Sequence, residues 1–105
     1  MTTAALSLQL GISGTFTDRS GSCSSTSATI ANPNPMRSYM LIQNPKTNST
    51  SMWVNFTAAA QVNGAGGSLE IASGAQLEWK FPGFVSTEAV NVIAAGSQVF
   101  VYKEA

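Results

Sequence analysis

Gln76-Leu77-Glu78-Trp79-Lys80-Phe81 alternates without a break, with Leu77, Trp79 and Phe81 on one side and Gln76, Glu78 and Lys80 on the other. Side chains of an extended backbone point to opposite faces in turn, so a period of two marks a half-buried β-strand. The alternation therefore predicts Leu77, Trp79 and Phe81 in a core and the three polar residues in solvent. Pro82-Gly83 ends the strand, because proline has no N–H to give to a ladder.

The same pattern recurs on both sides of this stretch. Downstream, Ala89–Ala94 (AVNVIA) and Gln98–Lys103 (QVFVYK) read as strands, joined by Ala95-Gly96-Ser97 as a short hairpin loop. In the last strand Val99 and Val101 face one way, and Phe100 and Tyr102 the other. Upstream, Ser68–Ile71 is a short strand followed by a Ser73-Gly74 turn, and residues 57–67 are rich in Ala, Gly and Asn with a strong turn signal at Asn63-Gly64. Met52, Val54 and Phe56 alternate with Trp53 and Asn55. Arg37–Asn44 is apolar on both faces in its middle, Tyr39 and Leu41 against Met40 and Ile42, which predicts a central strand or one covered on its second face.

Asn32-Pro33-Asn34-Pro35 forms a connector, since each proline restricts the residue before it. Thr26–Ala31 is expected as a strand with Ala28 and Ile30 inward, and Asp18–Ser25 as a polar loop. Leu6, Leu8, Leu10 and Ile12 share one face of a further strand, which Thr15–Thr17 continues.

About eight short strands at roughly ten-residue spacing predict an all-β chain. The expected architecture is a single β-sandwich, jelly-roll or immunoglobulin-like, or a small barrel. The 105 residues fit one core. Residues 1–36 read as an N-terminal strand and a Ser/Thr-rich arm, or as part of the same domain, and residues 37–105 as the core module.

Charge narrows the functional classes. Only 10% of residues are charged, five basic against five acidic, where an average domain has roughly 25%. So little charge keeps copies apart poorly and favours an assembly subunit. Arg19, Arg37, Lys46, Lys80 and Lys103 are scattered, so neither a nucleic-acid partner nor a membrane surface is expected. No Lys or Arg precedes Arg19, so no signal peptide and synthesis in a cytoplasm are expected.

The chemistry-bearing residues do not form a catalytic pattern. There is no histidine, hence no common general base or imidazole ligand, and Cys23 is the single cysteine. Asp18, Glu70, Glu78, Glu88 and Glu104 lack the spacing of a calcium loop, and Gly64-Ala65-Gly66-Gly67 lacks the lysine of a phosphate loop. A non-enzymatic protein without cofactor or metal is expected. The remaining candidates are aromatic: Tyr39, Trp53, Phe100 and Tyr102 form either a subunit interface, a sugar-stacking surface, or part of a core buried on both faces.

From Arg37 onward the chain resembles a module of small virion proteins of tailed bacteriophages. The resemblance is carried by R-S-Y-M-L-I-Q-N-P at Arg37–Pro45, M-W-V-N-F at Met52–Phe56, G-S-L-E-I-A-S-G at Gly67–Gly74 and E-W-K-F at Glu78–Phe81. It continues through A-V-N-V-I-A-A-G at Ala89–Gly96 and V-F-V-Y-K-E-A to the C-terminus. Such proteins are capsid decoration (cement) proteins, head-fibre bases or minor tail components. The resemblance implies a sandwich that forms homo-oligomers, trimers above all, on the capsid surface of a virion. Its partners would be the major capsid protein or other virion proteins. It brings no catalytic residues. A tail or baseplate adaptor, and a carbohydrate-binding module for host surface glycans, are the alternatives.

Overall fold

The computed structural model describes residues 15–105. The expected strand at Leu6–Ile12 lies outside the described residues. Among the described residues, nine strands fold into two antiparallel sheets packed face to face as a small β-sandwich. They are β1 (Thr17–Asp18), β2 (Gly21–Cys23), β3 (Ala28–Ala31), β4 (Tyr39–Gln43), β5 (Met52–Asn55), β6 (Leu69–Ile71), β7 (Gln76–Lys80), β8 (Val90–Ala94) and β9 (Gln98–Glu104).

The first sheet runs β1-β9-β4-β7, with β2 also on β9, and the second runs β3-β8-β5-β6. The core lies between them. Met40, Ile42, Phe100 and Tyr102 of the first sheet meet Met52, Val54, Ile71, Val90, Val92 and Ala94 of the second. Burying each of the larger aliphatic side chains is worth roughly 1.5–3 kcal/mol. β4 is central, as its two-sided apolarity requires, and pairs with both β7 and β9.

Three local expectations change. Asp18–Ser25 is not a free loop: β1 and β2 both pair with β9, either side of a break at Arg19-Ser20. At that break Ser20 Oγ accepts the Tyr102 N–H at 3.0 Å, so a side chain replaces the missing backbone partner. Polar residues carry no hydrophobic period, yet their backbone groups still need partners. Ala95-Gly96-Ser97 does not close a hairpin, because β8 and β9 belong to different sheets and the loop arches between them. Lastly, a register shift between Thr29 and Ala31 puts Ala31, not Ala28, in the core and leaves Ile30 half-buried.

β7 keeps its predicted parity. Trp79 pairs with Met40 and Leu77 with Ile42, and both are half-buried against the core. The Trp79 ring stands edge-on to Phe56, centroids 5.4 Å apart. Phe81 departs from expectation: β7 ends at Lys80, and the phenyl ring lies beyond the core, largely in solvent. The Asn63-Gly64 turn is present, both residues holding positive φ of 61° and 74°.

Candidate interaction surface

The four aromatic candidates separate. Phe100 and Tyr102 are buried core residues, which removes them from the candidate interface and leaves, of the three readings, the core one. Both parities of β9 are apolar, so its sequence leaves open which one faces the second sheet. Tyr39 and Trp53 are half-buried on outer faces. Tyr39 alternates with buried Met40 and belongs to the first sheet, and Trp53 alternates with buried Met52 and belongs to the second. They therefore lie on opposite sides of the sandwich and form no common platform.

The first sheet carries a different apolar surface at one end. Phe84 is 80% exposed, Met36 74%, Phe16 60% and Phe81 49%. Phe16 leans on Tyr39, ring centroids 5.3 Å apart, and the Tyr39 hydroxyl donates to Glu78 Oε2 at 2.6 Å. Partial burial and then the Glu78 carboxylate push the Tyr39 phenol up to about 12, so it stays a donor at neutral pH. The sequence reading singled out none of Phe16, Met36 and Phe84: Phe16 entered it only within the Thr15–Thr17 strand continuation, and Met36 and Phe84 sit outside the alternating runs. The signal for Met36 and Phe84 is an apolar residue inside turn-type sequence: Met36 follows Pro35, and Phe84 follows Pro82-Gly83.

The loops bearing Met36 and Phe84 are joined by the Asn34 N–H to Thr87 carbonyl bond (2.8 Å) and by one buried side chain. Arg37 donates through Nη1 to the carbonyls of Ser86 (2.8 Å) and Glu88 (2.9 Å), and through Nη2 to that of Asn32 (3.0 Å). Its Nε donates to Glu104 Oε1 at 3.2 Å. Glu104 also accepts from the Tyr102 hydroxyl at 2.7 Å and from Asn34 Nδ2 at 2.9 Å. A buried ion pair costs desolvation unless its remaining donors and acceptors are satisfied. Here a fork of donors meets three carbonyls and a carboxylate, which ties the 32–38 connector, the 82–88 loop and the end of β9 together. Every side-chain nitrogen and oxygen of the pair has at least one partner within the fold.

Opposing influences set the Glu104 proton affinity. Burial raises it. The Tyr102 hydroxyl, the Asn34 amide and the Arg37 and Arg19 guanidinium groups outweigh burial and hold it below the ordinary 4.5. A depressed folded-state value gives stability that is present above the unfolded value and is lost as pH falls through the folded one. Thermal melts from about pH 6 to about pH 3 are expected to show a steeper loss for the wild type than for Glu104→Gln, which starts lower. Asp18, held at about 2 by hydrogen bonds from Ser20, titrates in both proteins, so their difference isolates Glu104. Parallel curves would mean that Glu104 is not the acid-sensitive group.

The opposite end of the sandwich has an uncharged counterpart. Buried Asn44 donates to the carbonyls of Thr50 (3.0 Å) and Ile71 (2.9 Å), and its Oδ1 accepts from Asn48 (2.8 Å) and Gln98 (3.2 Å). All its bonds serve to pin loops. Cys23 is buried, and burial raises its thiol above the ordinary value of 9.0, which disfavours the reactive thiolate. Comparison with protein-family models, curated proteins and solved structures finds no match to this chain.

Proposed function

We propose that this chain is a non-enzymatic structural subunit of a bacteriophage particle, acting as a decoration protein that binds and stabilises the assembled head. The observation that carries the assembly role is the apolar end: Phe16, Met36, Phe81 and Phe84 are exposed together in a chain with few charges. Isolated exposed apolar residues are ordinary, but several large ones at one end of the sandwich, two of them on loops that buried Arg37 ties together, suit burial against a partner. The phage setting rests on the resemblance of residues 37–105. A protein that binds only the closed shell stabilises it by mass action, and many copies on a lattice reinforce one another.

Co-sedimentation with purified heads of the phage that encodes the protein tests the proposal. Saturable binding is expected, and Phe84→Ser is expected to weaken it by about tenfold or more, in keeping with loss of an aromatic contact from an interface. Label confined to the tail of intact virions, or no binding to heads at any concentration, overturns the decoration role.

A further inference from the structure

A cleft of about 440 Å³ opens where the 32–38 connector meets the end of the second sheet. Pro33, Pro35 and the Phe56 ring supply most of its apolar lining, and no basic residue lines it. It borders the apolar end, because Pro35 precedes Met36 and its acidic residue, Glu88, ends the loop that bears Phe84.

The lining is held in place by the fold itself. The Asn34 N–H, between the two prolines, bonds to the Thr87 carbonyl at 2.8 Å. Arg37 Nη1 holds the Glu88 carbonyl at 2.9 Å. The Thr57 N–H bonds to Asn55 Oδ1 at 2.9 Å, and the Phe56 ring stands against Trp79. Groups already ordered lose little entropy when a ligand binds.

The polar groups still available decide what fits. The Asn91 side chain is spent, since its Nδ2 donates to the Ala58 carbonyl at 2.8 Å and its Oδ1 accepts the Thr29 hydroxyl at 2.6 Å. The Thr57 hydroxyl donates to Asn55 Oδ1 at 3.1 Å, so only its lone pairs remain for the cleft. The exposed Glu88 carboxylate makes no hydrogen bond or ion pair with another described residue. Arg37 holds the Glu88 backbone, but its charge is matched by Glu104. The cleft thus presents acceptors, one of them charged, beside a phenyl and two pyrrolidine rings. An anion finds no cation in it. A sugar needs donors as well as acceptors, and among the lining side chains the Thr87 hydroxyl alone is left to donate. A guanidinium is planar, donor-only and weakly hydrated. It stacks on aromatic faces and forks onto a carboxylate, whereas an ammonium is a strongly hydrated point charge.

We infer that this cleft receives an arginine side chain presented by the protein on which the chain docks, with Glu88 as its counter-charge. Arginine is enriched at protein interfaces, and a pocket beside exposed aromatic residues is where one anchors. The identity of the donor protein rests on the assembly role proposed above, and the binding chemistry does not.

Amide chemical shifts of the 15N-labelled chain, titrated with N-acetyl-arginine methylamide at low salt, test the binding chemistry. Saturable shifts are expected at Thr57, Thr87, Glu88 and Ala89. Glu88→Gln, at an exposed side chain without partners in the fold, is expected to keep the folded spectrum and weaken binding by about fivefold or more. The citrulline counterpart, equal in shape but uncharged, is expected to bind as weakly to the wild type. No shift in the cleft at tens of millimolar overturns the inference. So does binding that survives Glu88→Gln, a citrulline or lysine counterpart that binds as tightly as arginine, or a methyl glycoside that binds in its place. Glu88→Lys is expected to weaken co-sedimentation with heads by about fivefold or more, and unchanged head binding overturns the assignment of the arginine to the capsid partner. Wild-type protein that ignores heads while still binding the arginine probe removes the decoration role and keeps the pocket.

Discussion

Arg37→Ala is expected to destabilise the domain by about 3–5 kcal/mol, a large share of what a domain of this size has to lose. The guanidinium is buried and answers three carbonyls and the Glu104 carboxylate. Truncation strands all four acceptors at once and leaves the Glu104 charge buried without its closest cation. Arg19 Nε, 3.9 Å from Glu104 Oε1, is too distant and too exposed to take over. Arg37→Lys is expected to recover only part of the loss, because a single ammonium cannot reproduce the planar fork that spans two loops. Chemical denaturation of the two variants checks this. An Arg37→Ala midpoint within experimental error of wild type would show that the 32–38 and 82–88 loops are held by other means.

Phe100→Ala is the second large loss expected, about 3–5 kcal/mol, as for other buried aromatic truncations. The ring is only 4% exposed and packs in the core beside Cys23 and Tyr102. Trp53→Ala should cost clearly less, because the indole is half-buried on the outer face of the second sheet and loses part of its surface to solvent in either case. Denaturation midpoints of the pair read out which aromatics belong to the core. Equal losses would place Trp53 in a packed environment comparable to that of Phe100.

These two residues also mark the limit of what local sequence reveals. Phe100 and Val101 are both apolar, so alternation in QVFVYK identifies a strand but not its inner face. Arg37 reads in sequence as one of five scattered basic residues. Its partners Asn32, Ser86, Glu88 and Glu104 are brought to it by the crossing of two connectors and the last strand, at separations of up to 67 residues. Phe81 follows the parity of β7 but not its burial, because the sheet ends one residue earlier.

Local sequence pattern was enough to specify an all-β chain, roughly where its strands lie, and several of its turns. Those properties rest on short-range rules: the two-residue period of an extended chain, the missing N–H of Pro82, and the left-handed backbone that Asn63-Gly64 readily adopts. Tertiary structure alone decided that β8 and β9 separate into different sheets, that polar Gly21–Cys23 joins the sheet along β9, and that Tyr39 and Trp53 end on opposite sides. It also gathered the exposed side chains of Phe16, Met36, Phe81 and Phe84 at one end of the first sheet. Backbone hydrogen bonds and burial are satisfied between residues far apart in the chain, and a local pattern does not specify which distant partner will satisfy them.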